Sequence, residues 1–243
     1  MVRHYAAETF MRNPLASAPV VRFGLILVLL LTSEAYGQVP LARPDINKPF
    51  AAPDFQQWVA RFERPGREVY DRRHAIVAAT GIRPGMRVAD IGAGTGLFTR
   101  LFSDRVGPSG KVYAVDISEV FIDNIVRISR EQGQHNVEGV IDSAGDVGLP
   151  PQSVDLAFIC DTYHHFEKPR AMMVSVRRAL KPGGQLVVID FRKIPGVSTA
   201  WVLGHVRAGR PEVIREIEAA GFRLVEDSDL LRVNYFLRFE TRE

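Results

Sequence analysis

The chain has 243 residues, 46% of them hydrophobic, enough to bury the core of one ordinary domain and short for two. Its 31 Lys and Arg against 28 Asp and Glu leave a formal charge of +3, and the basic residues are scattered rather than gathered in a stripe, which speaks against a nucleic-acid partner. The single cysteine, Cys160, excludes an internal disulfide and a thiolate metal cluster, and the apolar run from Leu156 predicts a buried small hydrophobe there.

In chain order, Arg22 precedes the apolar run Phe23 to Leu31, and small residues follow at Ala35 and Gly37. That order predicts an export signal over residues 1–37, cleaved after Gly37, or a membrane anchor using residues 22–37. The run is short for a span of about 20 apolar residues. A start at Met11 gives a more usual signal length, and removal of 1–37 leaves a charge of +2. Residues 38–54, with several prolines and no apolar periodicity, are expected to form an extended linker. The folded domain is expected over 55–243.

Phe55, Trp58, Val59 and Phe62 recur at helical spacing, and Pro65-Gly66 separates that helix from a second over about 67–80. Strand and helix patterns then alternate: strands at 87–91, 111–116, 137–141, 154–160 and 185–191, with helices at 95–102, 119–132, 169–180 and, after an irregular stretch, 210–220. Two β-rich segments, 223–226 and 234–240, close the chain and are spaced to pair antiparallel. This alternation predicts an α/β fold with a mostly parallel sheet covered on both faces. Ligands of such sheets bind at the carboxyl ends of the strands, where strand order reverses.

At that edge Asp90-Ile91-Gly92-Ala93-Gly94-Thr95-Gly96 runs a strand into a glycine-rich turn that opens a helix. Glycine allows the tight turn and lets a ligand approach where a Cβ would collide. Asp116, at the end of the next strand, is placed to accept hydrogen bonds from two ribose hydroxyls, and its distance in sequence from Gly96 agrees with nucleoside-binding spacing. After the fourth strand comes Asp161-Thr162-Tyr163-His164-His165-Phe166. His164, His165 and Tyr163 are the candidate catalytic groups there, since imidazole titrates near neutrality. Packing alone would also explain a histidine or tyrosine in this place. No metal is expected: adjacent residues often point apart, and no Cys or Glu-x-x-His pattern completes a set. Arg192 and Lys193 read as surface charges, while His205 falls in the irregular stretch that shapes an acceptor pocket. Arg64, Arg67, Tyr70 and Arg73 are placed either to close over a bound cofactor or to solvate a helix face.

These residues resemble the class I S-adenosylmethionine-dependent methyltransferases, particularly the small-molecule methyltransferase-11 type, over about 69–240. The Leu180-Lys181-Pro182-Gly183-Gly184 helix end and the closing hairpin belong to the same likeness. The resemblance implies a Rossmann-like three-layer sandwich with a seven-stranded sheet, S-adenosyl-L-methionine as cofactor, and methyl transfer to a small-molecule acceptor. It implies a cofactor set of Asp90, Gly92, Ala93, Gly94, Thr95, Gly96, Asp116, Ile117, Asp146 and Asp161. Asp146, just before Leu149-Pro150, is the expected partner of the adenine amine; the usual family spacing falls on Gly145, and Asp142 competes. Two other readings stand beside it. An NAD-dependent oxidoreductase shares the first turn and Asp116, but its fingerprint is Gly-x-Gly-x-x-Gly rather than the Gly-x-Gly-x-Gly found here. A non-catalytic nucleoside-binding module keeps the same pocket without turnover. The lone cysteine argues against thiol-dependent arsenite methylation.

Overall fold

The computed structural model describes residues 45–242; the expected leader and the start of the expected linker lie outside the described residues. Three short helices come first, α1 (Phe55–Phe62), α2 (Glu68–Asp71) and α3 (Arg73–Ala79). The alternating part follows as β1 (Arg87–Ile91), α4 (Leu97–Val106), β2 (Lys111–Asp116), α5 (Glu119–Glu131), β3 (Val137–Ile141), β4 (Val154–Cys160), α6 (Pro169–Ala179) and β5 (Leu180–Phe191). Then come α7 (Ala200–His205), α8 (Arg210–Ala219), β6 (Phe222–Ser228) and β7 (Asn234–Thr241).

The strands form one seven-stranded sheet in the order β3-β2-β1-β4-β5-β7-β6. β1 to β5 pair in parallel, and β7 runs antiparallel to both β5 and β6. This is the expected Rossmann-like three-layer architecture with its terminal hairpin. The central strands are near-continuous apolar runs because helices cover both faces. On one face Phe98 and Phe102 of α4 pack against Phe158 of β4, with ring centroids 4.9 Å from it. On the other, Met172, Met173 and Val176 of α6 and Ile217 of α8 join Ile159, Val188 and Phe222 in a second buried cluster. Strand order reverses between β1 and β4, so their carboxyl ends flare apart and leave a crevice.

Three details depart from the expectation. The helix expected over 67–80 breaks at Arg72 (φ −98°, ψ 8°), which separates α2 from α3. The strand expected from 185 begins at Leu180, and its pairing with β4 shifts register between Val154 and Leu156. The described part of the expected linker, 45–54, is packed rather than extended: Ile46 is buried, Lys48–Phe50 form a 3-10 turn, and Phe50 lies 4.8 Å from Trp58. Apolar periodicity could not reveal this segment, because it is held by the isolated apolar side chains of Ile46 and Phe50 and by hydrogen bonds of Asn47 to His165 and Glu167.

Candidate functional site

The crevice is a cavity of about 740 Å³, a size that suits a small-molecule ligand. Its floor is the turn after β1. Gly92 (φ +72°) and Gly94 (φ +56°) occupy left-handed backbone, and a Cβ on Gly92 would stand 2.2 Å from Cγ2 of Thr162. The turn is held open by Asp116, whose carboxylate accepts from the backbone N–H of Gly94 (2.9 Å) and of Ser118 (3.0 Å). Each carboxylate oxygen keeps a second lone pair for a ligand hydroxyl.

Burial pushes Asp116 up to about 6, against the hydrogen bonds of Gly94 and Ser118 that favour its charge. Asp142, following β3, is pushed up to about 7, first by burial and then by the charge of Asp116. Its Oδ1 is buried without a hydrogen-bond partner. Asp90 is also pushed up to about 7 by burial, although the Thr99 hydroxyl donates to it at 2.6 Å. Three carboxyls along one edge, one of them an acceptor lacking its donor, fit a ligand rich in hydroxyl and amine donors. Glycine backbone open to the cavity, a buried acid at the end of β2 and an unpaired acceptor following β3 together fit the groups an adenosine cofactor presents.

A roof of N-terminal residues is tied to this floor. Glu63 at the end of α1 pairs with Arg100 of α4 at 2.8 Å, and Arg67 pairs with Asp161 at 2.7 Å. Asp161 itself is non-glycine left-handed backbone (φ +51°), strain kept at the cavity wall by its two side-chain partners, Arg67 and Asn234. Glu68 of α2 accepts from the backbone N–H groups of Arg232, Val233 and Asn234 at 2.7, 2.8 and 3.0 Å. Glu68→Ala should therefore lower stability by about 2 kcal/mol and loosen the roof. Urea denaturation checks the first effect, and faster proteolysis within residues 55–80 of the ligand-free protein checks the second.

The far end of the cavity is histidine-lined. His164, almost wholly buried, receives a rigid setting from Asp190 of β5: its Nδ1 lies 2.8 and 3.0 Å from the two carboxylate oxygens, and its backbone N–H donates to the same group at 3.1 Å. Burial opposes the Asp190 charge, but the imidazole and these hydrogen bonds outweigh it and hold the carboxyl below its ordinary value. His165 places Nδ1 3.1 Å from Oδ1 of Asn47, and burial first, then its two histidine neighbours, lower it to about 3. The adjacent rings converge instead of diverging, with centroids 4.3 Å apart, because the 3-10 turn Tyr163–His165 wraps both toward the crevice. His205 joins them from α7, stacked on Trp201 at 4.5 Å.

Of the residues expected from sequence, Asp90, Gly92, Ala93, Gly94, Thr95, Asp116, Ile117, Asp161, His164 and His165 line the cavity. Three do not. Tyr163 is fully buried in the core beside it, its hydroxyl donating to Glu216 at 3.0 Å beneath Arg207. Gly96 lies behind the turn, where a Cβ would press on Ile125 at 2.8 Å; its glycine serves helix packing. Asp146 points away, accepting from Ser175 at 2.8 Å and pairing with Arg178 at 3.0 Å, and its competitor Asp142 takes the cavity position. Cys160 is only partly buried and stands in the cavity wall, its thiol pushed up by burial and by Asp161. Arg64 and Arg67 line the cavity, whereas Arg73 donates to the Tyr70 carbonyl. Arg192 and Lys193 donate to the carbonyls of Asn234 and Val206. Asn47 and Phe50 also line the cavity, at positions that no sequence motif marks.

Comparison with known proteins gives a consistent likeness. Residues 82–223 match a family described as a methyltransferase domain. A ubiquinone/menaquinone biosynthesis C-methyltransferase from Hydrogenovibrio crunogenus is 36% identical over 128 residues, covering 51% of this chain and 48% of that protein. Its counterpart from Bordetella avium is 31% identical over 121 residues, covering 49% and 46%. The chain thus spans about half the length of the curated relatives it matches. Among solved structures, a SAM-dependent methyltransferase from Aquifex aeolicus superposes with a TM-score of 0.68 at 26% identity, covering 77% of this chain and 98% of that one. The [4+2]-cyclase SpnF shares the fold alone, with a TM-score of 0.63 at 22% identity over 79% of this chain and 77% of its own.

Proposed function

The chain belongs to the methyltransferase-domain family, and from that premise we propose that it transfers the methyl group of S-adenosyl-L-methionine to a small-molecule acceptor. The observation that carries this reading is the continuity of one cavity from the glycine turn and Asp116 to the histidine wall. Cofactor and acceptor can thereby meet inside a single crevice. The bound cofactor supplies an electrophilic methyl on a positively charged sulfur. The residues of this chain have to hold the acceptor in line with it and exclude water, and that positioning is a large part of the rate.

Asp116 would accept from the ribose hydroxyls, Asp142 would accept from the adenine amine, and Ile117 would cover the adenine with apolar surface. Gly92, Ala93, Gly94 and Thr95 would let the backbone come close to the methionine portion of the cofactor. At the other end, His164 and His165 orient the acceptor against a wall formed by Phe191 and Trp201, whose rings touch edge to face with centroids 5.5 Å apart. Aromatic walls of this kind suit a planar acceptor, in keeping with the quinone-pathway names of the relatives.

Calorimetric titration of the protein with S-adenosylmethionine, S-adenosylhomocysteine and NAD tests the cofactor assignment. Saturable binding of the two sulfur compounds without NAD is expected; NAD binding alone would sink the assignment. Release of S-adenosylhomocysteine with planar phenolic or quinol acceptors then separates turnover from cofactor binding alone.

A further inference from the structure

His164, His165 and His205 do more than wall the acceptor end. One ring nitrogen from each of the three lies within 4.8 Å of those from the other two, and the ring centroids stand 4.3, 5.1 and 5.3 Å apart in pairs. The geometry points to a binding site for a divalent transition-metal ion of the zinc class, held by these three imidazoles, with a fourth position open to the cavity.

Four observations carry it. His164 Nε2 is buried and has no hydrogen-bond partner, although an imidazole nitrogen taken out of water ordinarily finds one. The opposite nitrogen of the same ring is held by Asp190 at 2.8 Å, the carboxylate-to-histidine arrangement that orients a metal ligand and raises its basicity. His165 repeats the pattern: its Nδ1 donates to the amide oxygen of Asn47 at 3.1 Å, which leaves Nε2 with its lone pair. Finally, the three rings come from separate places, two from the turn after β4 and one from α7, yet all face the one cavity.

Ligand chemistry selects the ion. Three neutral imidazoles with no thiolate and no carboxylate in the set suit zinc and its neighbours, not magnesium or calcium. Three histidines and an open position are also the arrangement of a catalytic rather than a structural zinc site. A tetrahedral ion with Zn–N bonds of about 2.1 Å draws its ligands to roughly 3.4 Å from one another, so the cluster has to close by about an ångström, within reach of side-chain rotation. Where the methyl-transfer reading holds, and this clause alone rests on it, the fourth position receives the acceptor oxygen. Coordination lowers the pKa of that oxygen, its proton leaves to solvent, and the anion is the nucleophile. Asn47 and Asp190 are then positioning residues acting through His165 and His164.

The test uses the untagged full chain, stripped with chelator and titrated with zinc chloride, and with Co²⁺ as a spectroscopic stand-in. One ion per chain is expected, together with the intense visible absorption of tetrahedral Co²⁺. His205→Ala and, separately, His165→Gln should each weaken zinc binding at least a hundredfold while keeping the native circular dichroism. Zinc affinity unchanged in either folded variant, or no saturable binding by the unsubstituted protein up to millimolar zinc, overturns the site. Titration of the same preparation with S-adenosylmethionine keeps the two readings apart. Zinc bound without the cofactor removes the methyl-transfer reading and leaves the metal site, and the reverse result removes only the metal site.

Discussion

Asp116→Ala is expected to weaken S-adenosylmethionine binding about a hundredfold or more, since roughly 2.8 kcal/mol is what two hydrogen bonds to a charged, buried acceptor contribute. The loss is compounded because the same carboxylate holds the N–H groups of Gly94 and Ser118, so the glycine turn slackens when it goes. Calorimetry on the variant measures it, and a Kd within threefold of the unsubstituted protein would remove Asp116 from the cofactor site. A pH dependence follows from the same group. Asp116 at about 6 and Asp142 at about 7 both lie above the 3.8 of an ordinary aspartate, first through burial. Between those values the folded, ligand-free protein holds protons that the unfolded chain has released. Their contribution to stability is therefore full below about pH 4 and is lost as pH rises through about 6 to 7. Hydroxyl and amine donors favour the ionised carboxyls, so the rise in Tm that S-adenosylmethionine produces should be larger near pH 8 than near pH 5. A rise equal at both, measured by thermal scanning, would mean that neither acid meets the ligand.

Gly92→Ala should cost about 3 kcal/mol of stability, the sum of roughly 1 to 2 for left-handed backbone and a further 1 to 3 for overpacking. The added methyl would sit 2.2 Å from Thr162 Cγ2 and 2.7 Å from its Cβ, atoms of a short side chain anchored to the end of β4. Thr162 cannot swing aside without moving the turn that carries the histidines, so cofactor affinity should fall as well. Gly94→Ala is the informative contrast. Its Cβ would find Phe62 at an ordinary 3.5 Å, so stability should drop by only about 1 kcal/mol, while the methyl enters the space the ligand needs. Denaturation midpoints and Kd values of the two variants, measured side by side, separate a turn needed for folding from a cradle needed for binding. Equal loss of stability in both would show that the Thr162 contact relaxes.

What the sequence by itself determined was everything carried by local pattern. Apolar strands bounded by turns located β1 to β4 to the residue, the glycine turn marked the sheet edge at which the cavity opens, and the place of Asp116 beside it was legible because its distance from that turn is set by one helix and one strand. Helix ends were less sharp, as at Arg72, where a single residue leaves helical backbone without any Gly or Pro to mark it. Tertiary structure alone decided which polar groups face the cavity. Asp142 and Asp146 are four residues apart with the same chemistry, and the choice between them was made by Ser175 and Arg178 of α6, distant in sequence, which draw Asp146 outward. Tyr163 went to the core for the same kind of reason, since Glu216, itself held by Arg207, accepts from its hydroxyl there. The gathering of His205 and Asn47 around His164 and His165 lay furthest from view. Asn47 and His205 are separated by most of the chain, and only the folding of the N-terminal segment and α7 over the same sheet edge brings them to one wall.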